Sequence, residues 1–333
     1  MIFRDFYFTC VALVMLGVSG RCDATEFDQT HADLGYFDTL AGVVPPPGVY
    51  VRDDVTVQTS GTITDASGHS VSINLGPYGK AKVKFRETTV ADILSVAYVP
   101  DWKIPYIDGT IGMAAYGFVA NLRLDVSTAF GVPQSHATEK AGFGDLTVLP
   151  FFLAFHIPGT ALQVALSPLE FTAPTGRYAK DDPIGNNVGL NYWSYRPSLA
   201  LTYLTQTGQD FSISGGLSVN TQNQATHYRS GTEAYVTWAA EQFLPGGFSL
   251  GLGGYYYKQI GNDRLNGQVV DQTPATDPLG NGPGNLGEVF AIGPLASYRI
   301  RKDLSVEIHW DHEVLAYDRP KRDLIYARAV LRF

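Results

Sequence analysis

The sequence predicts an all-β protein: a transmembrane, antiparallel, up-and-down β-barrel of about twelve strands, with short periplasmic turns and longer external loops. Three observations predict it. The last thirty residues form two strands whose apolar and polar positions alternate cleanly. The links between strands alternate short and long along the chain. The composition is poor in charge yet not hydrophobic overall.

From Leu304 the even positions are Leu304, Val306, Ile308, Trp310, His312 and Val314, and the odd ones are Ser305, Glu307, His309, Asp311 and Glu313. Side chains alternate faces along a strand, so one apolar face is backed by one strongly polar face. The chain ends with Ile325, Ala327, Ala329, Leu331 and Phe333 on one face and Tyr326, Arg328 and Arg332 on the other. Such a hairpin suits lipid outside and water inside. A soluble sandwich turns its apolar faces inward.

Charged residues make up 17% of the 333, below the roughly 25% of a typical soluble domain. Aromatics reach 12%, with 19 Tyr and 18 Phe, while the mean hydropathy is only -0.03. A membrane barrel reconciles these numbers, because each lipid-facing residue is followed by a lumen-facing one. The net charge of -8 argues against nucleic acid as a partner.

Residues 1–24 read as a secretory leader. Phe6 to Val18 is an apolar run too short to span a bilayer comfortably, and Cys22-Asp-Ala24 resembles a small-residue cleavage site with Ala24 last. Both cysteines, Cys10 and Cys22, precede that cut, which excludes a disulfide framework and thiol chemistry in the mature chain. Residues 25–48 form a lead-in ending in Pro-Pro-Pro-Gly, which cannot enter a ladder. It either plugs the barrel or hangs in the periplasm. Residues 49–333 form the barrel.

Strands are expected at 49–60, 88–99, 111–128, 145–156, 161–173, 190–204, 211–220, 231–243, 248–260, 287–300, 304–314 and 324–333. In the third, Gly112, Ala114, Tyr116, Phe118, Ala120, Leu122, Leu124 and Val126 share the apolar, outward side, leaving Asn121, Arg123 and Asp125 inward. In the fourth, Leu149, Phe151, Leu153 and Phe155 stand together. Residues 129–144 read as a loop. Links near 301, 245, 207, 158 and 102 are short, and those near 318, 270, 225, 180, 135 and 70 mostly longer, as turns and loops on opposite sides of a membrane are. Tyr192, Trp193, Tyr195 and Tyr255 to Tyr257 are expected at the interfaces.

From Phe143 onward the chain resembles the outer-membrane transporters associated with the meta pathway of phenol degradation. The resemblance rests on Gly144-Asp145, Ala173-Pro-Thr-Gly-Arg-Tyr178, Gly189-Leu-Asn-Tyr-Trp193, the region of Thr221 to Asn223 with Tyr228-Arg-Ser-Gly231, and Gly253-Gly-Tyr-Tyr-Tyr257. Val43 to Tyr50 is similar to the family's approach to the barrel. The resemblance implies an outer-membrane barrel linked to aromatic catabolism, and passive passage of small, hydrophobic or aromatic solutes. It supplies no site residues and implies no cofactor. The partners expected are outer-membrane lipid, a small-molecule solute and, through Phe333, the barrel assembly machinery.

Alternation places Arg123, Asp125, Arg196, Glu241, Arg299, Glu307, His309, Asp311, Glu313, Arg328 and Arg332 along the lumen. A charged lumen either selects solutes or is an ion-pair network bracing the wall. A metal at His309 and Asp311 lacks a third ligand in view. Asp181, Asp182, Asp271 and Asp277 fall in external loops, where they could bridge lipid headgroups through divalent cations. Gly282-Pro-Gly284-Asn-Leu-Gly287 fits a dinucleotide fingerprint but opens no helix. No nucleophile elbow or ordered triad appears, so the reading is not an enzyme. A barrel enzyme acting on lipid or a surface substrate, and a secreted soluble β-protein binding a ligand, are the alternatives.

Overall fold

In a computed structural model of the chain the described residues are 25–74, 80–102, 104, 108–128, 136–180, 187–270 and 286–333. The leader with its cysteines, the four loop aspartates and Gly282-Pro-Gly284 lie outside them. Twelve wall strands run in order: β1 (Gly48–Ile63), β2 (Lys80–Val99), β3 (Gly109–Thr128), β4 in two segments (His136–Phe143 and Leu146–His156), β5 (Leu162–Ala173), β6 in two segments (Ser194–Tyr195 and Ser198–Leu204), β7 (Gln209–Asn220), β8 (Glu233–Phe243), β9 (Phe248–Gln259), β10 (Glu288–Arg301), β11 (Leu304–Tyr317) and β12 (Pro320–Arg332). Each pairs antiparallel with the next. β12 returns to β1 from Tyr50↔Arg332 to Ile63↔Pro320, so the sheet closes on itself. Closure leaves no edge unpaired, the condition for strands to stand in lipid.

The outer surface is apolar. Leu94, Leu199, Ile213, Leu252, Ile308 and Ile325 are all exposed, each 44% or more. Nothing in a soluble fold leaves so many large apolar chains bare on every side. Two carboxyls, Asp53 and Asp92, interrupt this surface across the β1–β2 pair and hydrogen-bond to each other.

Several expectations need correction. Residues 136–143 are not loop but strand, extending the wall beside Val119–Val126. In β4, register shifts between Val148 and Phe151 and between Phe151 and Leu153 break the alternation. Leu149 therefore turns inward, at 6% exposure, while Leu146 and Val148 before it are outward. Pro150 supplies the reason: it has no N–H to give the ladder, and strands accommodate proline at bulges. β6 is likewise interrupted, at Arg196-Pro197. The link after β11 is tight rather than long, with Asp318 at φ 54.

The parity of β3 is reversed from the expectation. Tyr116 points into the barrel, bonded to lumen groups, and Phe118, Ala120 and Leu122 line an interior cavity. Arg123 and Asp125 therefore face outward, their side chains 60% and 28% exposed and paired with each other at 3.3 Å. Here the wall extends with residues 136–143 toward the long-loop end, where the outside is water and the inside is packed. Ala91, Ala120, Leu122 and Val188 form that interior cluster. The rule that apolar means outside holds only at the level of the bilayer. The aromatic placement is corrected for the same reason: Tyr192, Tyr255 and Tyr257 are buried inside, while Trp193 and Tyr195 face out.

Candidate functional site: the lumen

Residues 25–47 run through the inside of the barrel. At the long-loop end Asp28 meets Arg319 and Arg322, from the β11–β12 link and β12. At the short-turn end Gly42 N donates to Thr202 Oγ1 at 2.9 Å and Val44 N to Gln163 Oε1 at 2.8 Å. A lumen walled by alternate residues of polar strands offers hydrogen-bonding groups, and an irregular backbone is tolerated at membrane depth only where such groups meet it.

Three carboxylates spaced five residues apart secure the segment. Asp28 takes Arg322 Nη2 at 2.5 Å and Arg319 Nε at 3.2 Å. Asp33 takes Arg196 Nη1 at 3.0 Å, and the same guanidinium grips Glu170. The Tyr116 hydroxyl sits 2.9 Å from Asp33 and 3.0 Å from Glu170. Asp38 takes Arg328 Nη1 at 2.8 Å and His309 Nδ1 at 2.8 Å, with the Tyr326 hydroxyl donating as well. Burial alone would make each acid costly, and a guanidinium with several donors offsets that cost.

The third node is the densest. Arg328 also reaches Asp54 at 2.7 Å and Glu307 at 3.1 Å, and donates to Tyr36 O at 2.8 Å. Thr39 Oγ1 donates to Glu307 at 2.8 Å. His309 Nε2 lies 3.1 Å from Asp311, so its ring is held between carboxylates of the segment and of its own strand. Asp38, Glu307 and His309 bring ligand atoms within 4.8 Å of one another, a set that shares His309 with the sequence pair but leaves Asp311 out. The Arg328 guanidinium already bridges Asp38 and Glu307, however, so the cation these acids need is in place.

The remaining lumen candidates separate by position. Glu313 is buried and accepts from Tyr255 Oη at 2.8 Å and Arg322 N at 2.6 Å. Glu241 is buried and accepts from Ser249. Arg299 keeps lumen parity but is exposed beside the short turn before β11, and Arg332 is half-buried next to Tyr50. Arg123 and Asp125 are not lumen residues, for the reason given above. Sequence reading missed Asp28, Asp33, Asp38, Asp54, Glu170 and His31. The five-residue spacing of the first three is visible in the sequence, but nothing there says which wall arginine each will meet.

Outside the membrane-spanning strands two carboxyls are displaced by burial. The Asp28 carboxyl is pushed up to about 6, with Arg319 and Arg322 pulling the other way. The Asp263 carboxyl, in the loop after β9, is pushed up to about 7 despite bonds from Tyr228, Gly231 and Gln259.

Between the segment and the β2–β3 wall lies a cavity of about 310 Å³. Its apolar side is formed by Ala91, Ile93, Phe118, Ala120, Leu122 and Leu34. Its rim is organised by Asp145, which accepts from Gly176 N and Leu190 N, each at 2.7 Å, and lies 3.0 Å from His31 Nε2. Gly176 and Gly189 touch so closely that a Cβ on either would come within 2.7 Å of the other's backbone. Three of the short motifs noted in the sequence thus converge on one carboxylate.

A closed twelve-strand barrel, apolar outside and filled by its own N-terminal segment, defines a transmembrane barrel of the outer-membrane type. The match of a family model narrows this further: residues 59–329 fit the family described as "Putative MetA-pathway of phenol degradation", and the chain belongs to that family. No curated protein matches the chain. Among solved structures, an outer-membrane channel from Pseudomonas putida F1 is similar at a TM-score of 0.68 and 16% identity, over 91% of this chain and 100% of that one. The transport unit of the autotransporter AIDA-I from Escherichia coli gives 0.46 at 10% identity, over 86% and 90%. The translocator domain of the autotransporter NalP from Neisseria meningitidis gives 0.45 at 13%, over 87% and 90%. The first of these shares the fold; scores below 0.5 assign nothing.

Proposed function

We propose that this barrel passes small, neutral, hydrophobic or aromatic solutes across the outer membrane by diffusion, with residues 25–47 as the gate. The observation that carries the reading is the cavity beside the segment, apolar on its wall side and within the range of small-ligand sites, about 300–1,000 Å³. The segment is held to the wall by ion pairs and hydrogen bonds, beside apolar contacts of Ala32 and Leu34 with the Tyr255 and Tyr257 cluster and of Tyr36 and Phe37 with Tyr116. Polar seating favours release as a unit, because each freed group can be taken over by water. The ion pairs therefore serve first to brace the segment, and only through it to select solutes. The family description, with its phenol-degradation link, and the outer-membrane channel that shares the fold support the same reading. A leader ending at Ala24, a lumen segment and a barrel are the three parts this mechanism needs. Phe333, exposed at the end of β12, offers the barrel assembly machinery a terminal aromatic residue.

The test is solute flux. A barrel lacking residues 25–47 conducts strongly in planar bilayers, while the full chain conducts weakly. A strain without the protein takes up phenol-class solutes more slowly. Equal conductance from both forms, with no uptake defect, sinks the proposal.

A further inference from the structure

The cavity beside the segment has a floor. On the β2–β3 wall it reaches Ile93 and Phe118, which stand opposite each other, and it stops at Tyr36 and Tyr116. The hydroxyl of Tyr36 is hydrogen-bonded to that of Ser95, the next inward residue after Ile93, and Ser95 pairs with Tyr116 in register. One ring from the segment therefore reaches across to the wall at the depth where the cavity ends. Side chains stand around it: the Arg52 guanidinium lies 3.8 Å from its centroid, Phe37 meets it edge-on at 4.8 Å, and Tyr116 tilts against it at 5.3 Å.

Beyond this ring the segment turns away toward β5, β6 and β7. Phe37 O accepts from Ser214, Leu40 N donates to Asp210 Oδ2 at 2.9 Å, and Gly42 and Val44 follow onto Thr202 and Gln163. On β2 and β3 the next inward pair is Ala97 opposite Ala114, both small and only half-buried. Inward residues that keep part of their surface accessible border open space. A lane thus continues on the β2–β3 side past the floor, where the departing segment no longer covers the wall.

We infer, resting on the passage reading above, that Tyr36 is the inner gate and size filter of this barrel: a swing of its ring joins the cavity to the lane along β2–β3 while the rest of the segment stays seated. The main chain here is clamped, since Tyr36 O accepts from Arg52 Nη2 at 2.6 Å and from Arg328 Nη2 at 2.8 Å. The side chain is tied to the wall only at its hydroxyl. Its swing gives up one neutral hydrogen bond and the ring contacts. Unseating the segment must instead break the buried ion pairs of Asp28, Asp33 and Asp38, a larger loss. The two movements also open different paths. Unseating clears the whole lumen, whereas the swing clears a slot beside Ala97 and Ala114. A slot between a ring and a flat wall admits planar, neutral molecules and sorts them by width.

The experiment places full-length variants in a strain lacking the native protein and reads initial uptake of phenol and of 2-naphthol. Heat-modified gel mobility verifies that each barrel is folded. Tyr36→Phe keeps the ring and removes only its tether to Ser95; it is expected to speed 2-naphthol uptake by about two- to tenfold, the equivalent of one neutral hydrogen bond. Tyr36→Ala is expected to speed it further, and to help the two-ring solute more than phenol. Ala97→Phe leaves the tyrosine and the segment untouched and fills the lane beyond them; it is expected to reduce uptake of both solutes to that of the strain without the barrel. In planar bilayers Tyr36→Ala is expected to conduct more than wild type but well below the barrel lacking residues 25–47. Wild-type uptake by both folded Tyr36 variants overturns the inference, as does undiminished uptake by Ala97→Phe. Openings in Tyr36→Ala as wide as those of the segment-free barrel overturn it too, since they make Tyr36 a seating residue. The passage reading survives each of these results so long as the segment-free barrel conducts strongly and the strain without the protein takes up solute slowly.

Discussion

Arg328→Ala tests the seating of the lumen segment most directly. In the native barrel one guanidinium meets Asp38 at 2.8 Å, Asp54 at 2.7 Å and Glu307 at 3.1 Å, and also donates to Tyr36 O at 2.8 Å. Asp38 and Tyr36 belong to the segment; Asp54 and Glu307 belong to the wall. Removing the cation leaves three acids facing one another with a single nearby arginine, Arg52, which bonds Asp54 at 2.6 Å. Breaking a buried pair by deleting one partner costs about 3–5 kcal/mol. Some of that cost is recovered when the segment leaves and water enters. If most of it bears on the seated state, the unseated population rises by about two to three orders of magnitude, at 1.4 kcal/mol per tenfold. The assay is single-channel conductance in a planar bilayer, with gel mobility confirming an intact barrel. Frequent or permanent large openings are expected for Arg328→Ala. Arg328→Lys should fall between, because a point charge cannot reach all three carboxylates. An intact Arg328→Ala barrel with wild-type conductance would falsify the idea that this node holds the segment.

Three further outcomes follow from the same geometry. Gly42→Val should lower thermal stability by about 1–3 kcal/mol and raise conductance, because a Cβ there meets Thr202 N at 2.7 Å and Gln163 O at 2.9 Å, both backbone; unfolding by heat in detergent checks the first part. Arg123→Ala should change neither conductance nor stability by more than about 0.5 kcal/mol, since its pair is exposed, whereas Arg196→Ala should behave like Arg328→Ala; a conductance change in the Arg123 variant would restore it to the lumen. Deleting Phe333 should reduce the amount of folded barrel recovered in outer membranes without altering the conductance of what does fold; unchanged recovery refutes its role in assembly.

Much of the wall was legible in the sequence because lipid imposes one rule on every strand that crosses it. Where both surroundings are as assumed, alternation alone orients the side chains: Ile308 and Trp310 are exposed while His309 and Asp311, which alternate with them, are fully buried. The rule failed where its premise did. Arg123 and Asp125 stand on wall that rises beyond the bilayer, so their outward face meets water. Leu149 stands beside a proline bulge that shifts the count by one. The spacing of tyrosines gave no hint that Tyr255 and Tyr257 turn inward to Glu313 and Glu233.

The sequence by itself determined that there is a barrel, how many strands it has and which face of its C-terminal hairpin is ionic, because period-two alternation is local and each strand displays it alone. Only the tertiary structure decided what that ionic face is for. Asp38 lies 290 residues from Arg328 and Asp33 lies 163 from Arg196. No local pattern encodes such pairings; they exist because closing the sheet encloses a polar space, and the nearest chain able to fill it is the segment that leads into β1.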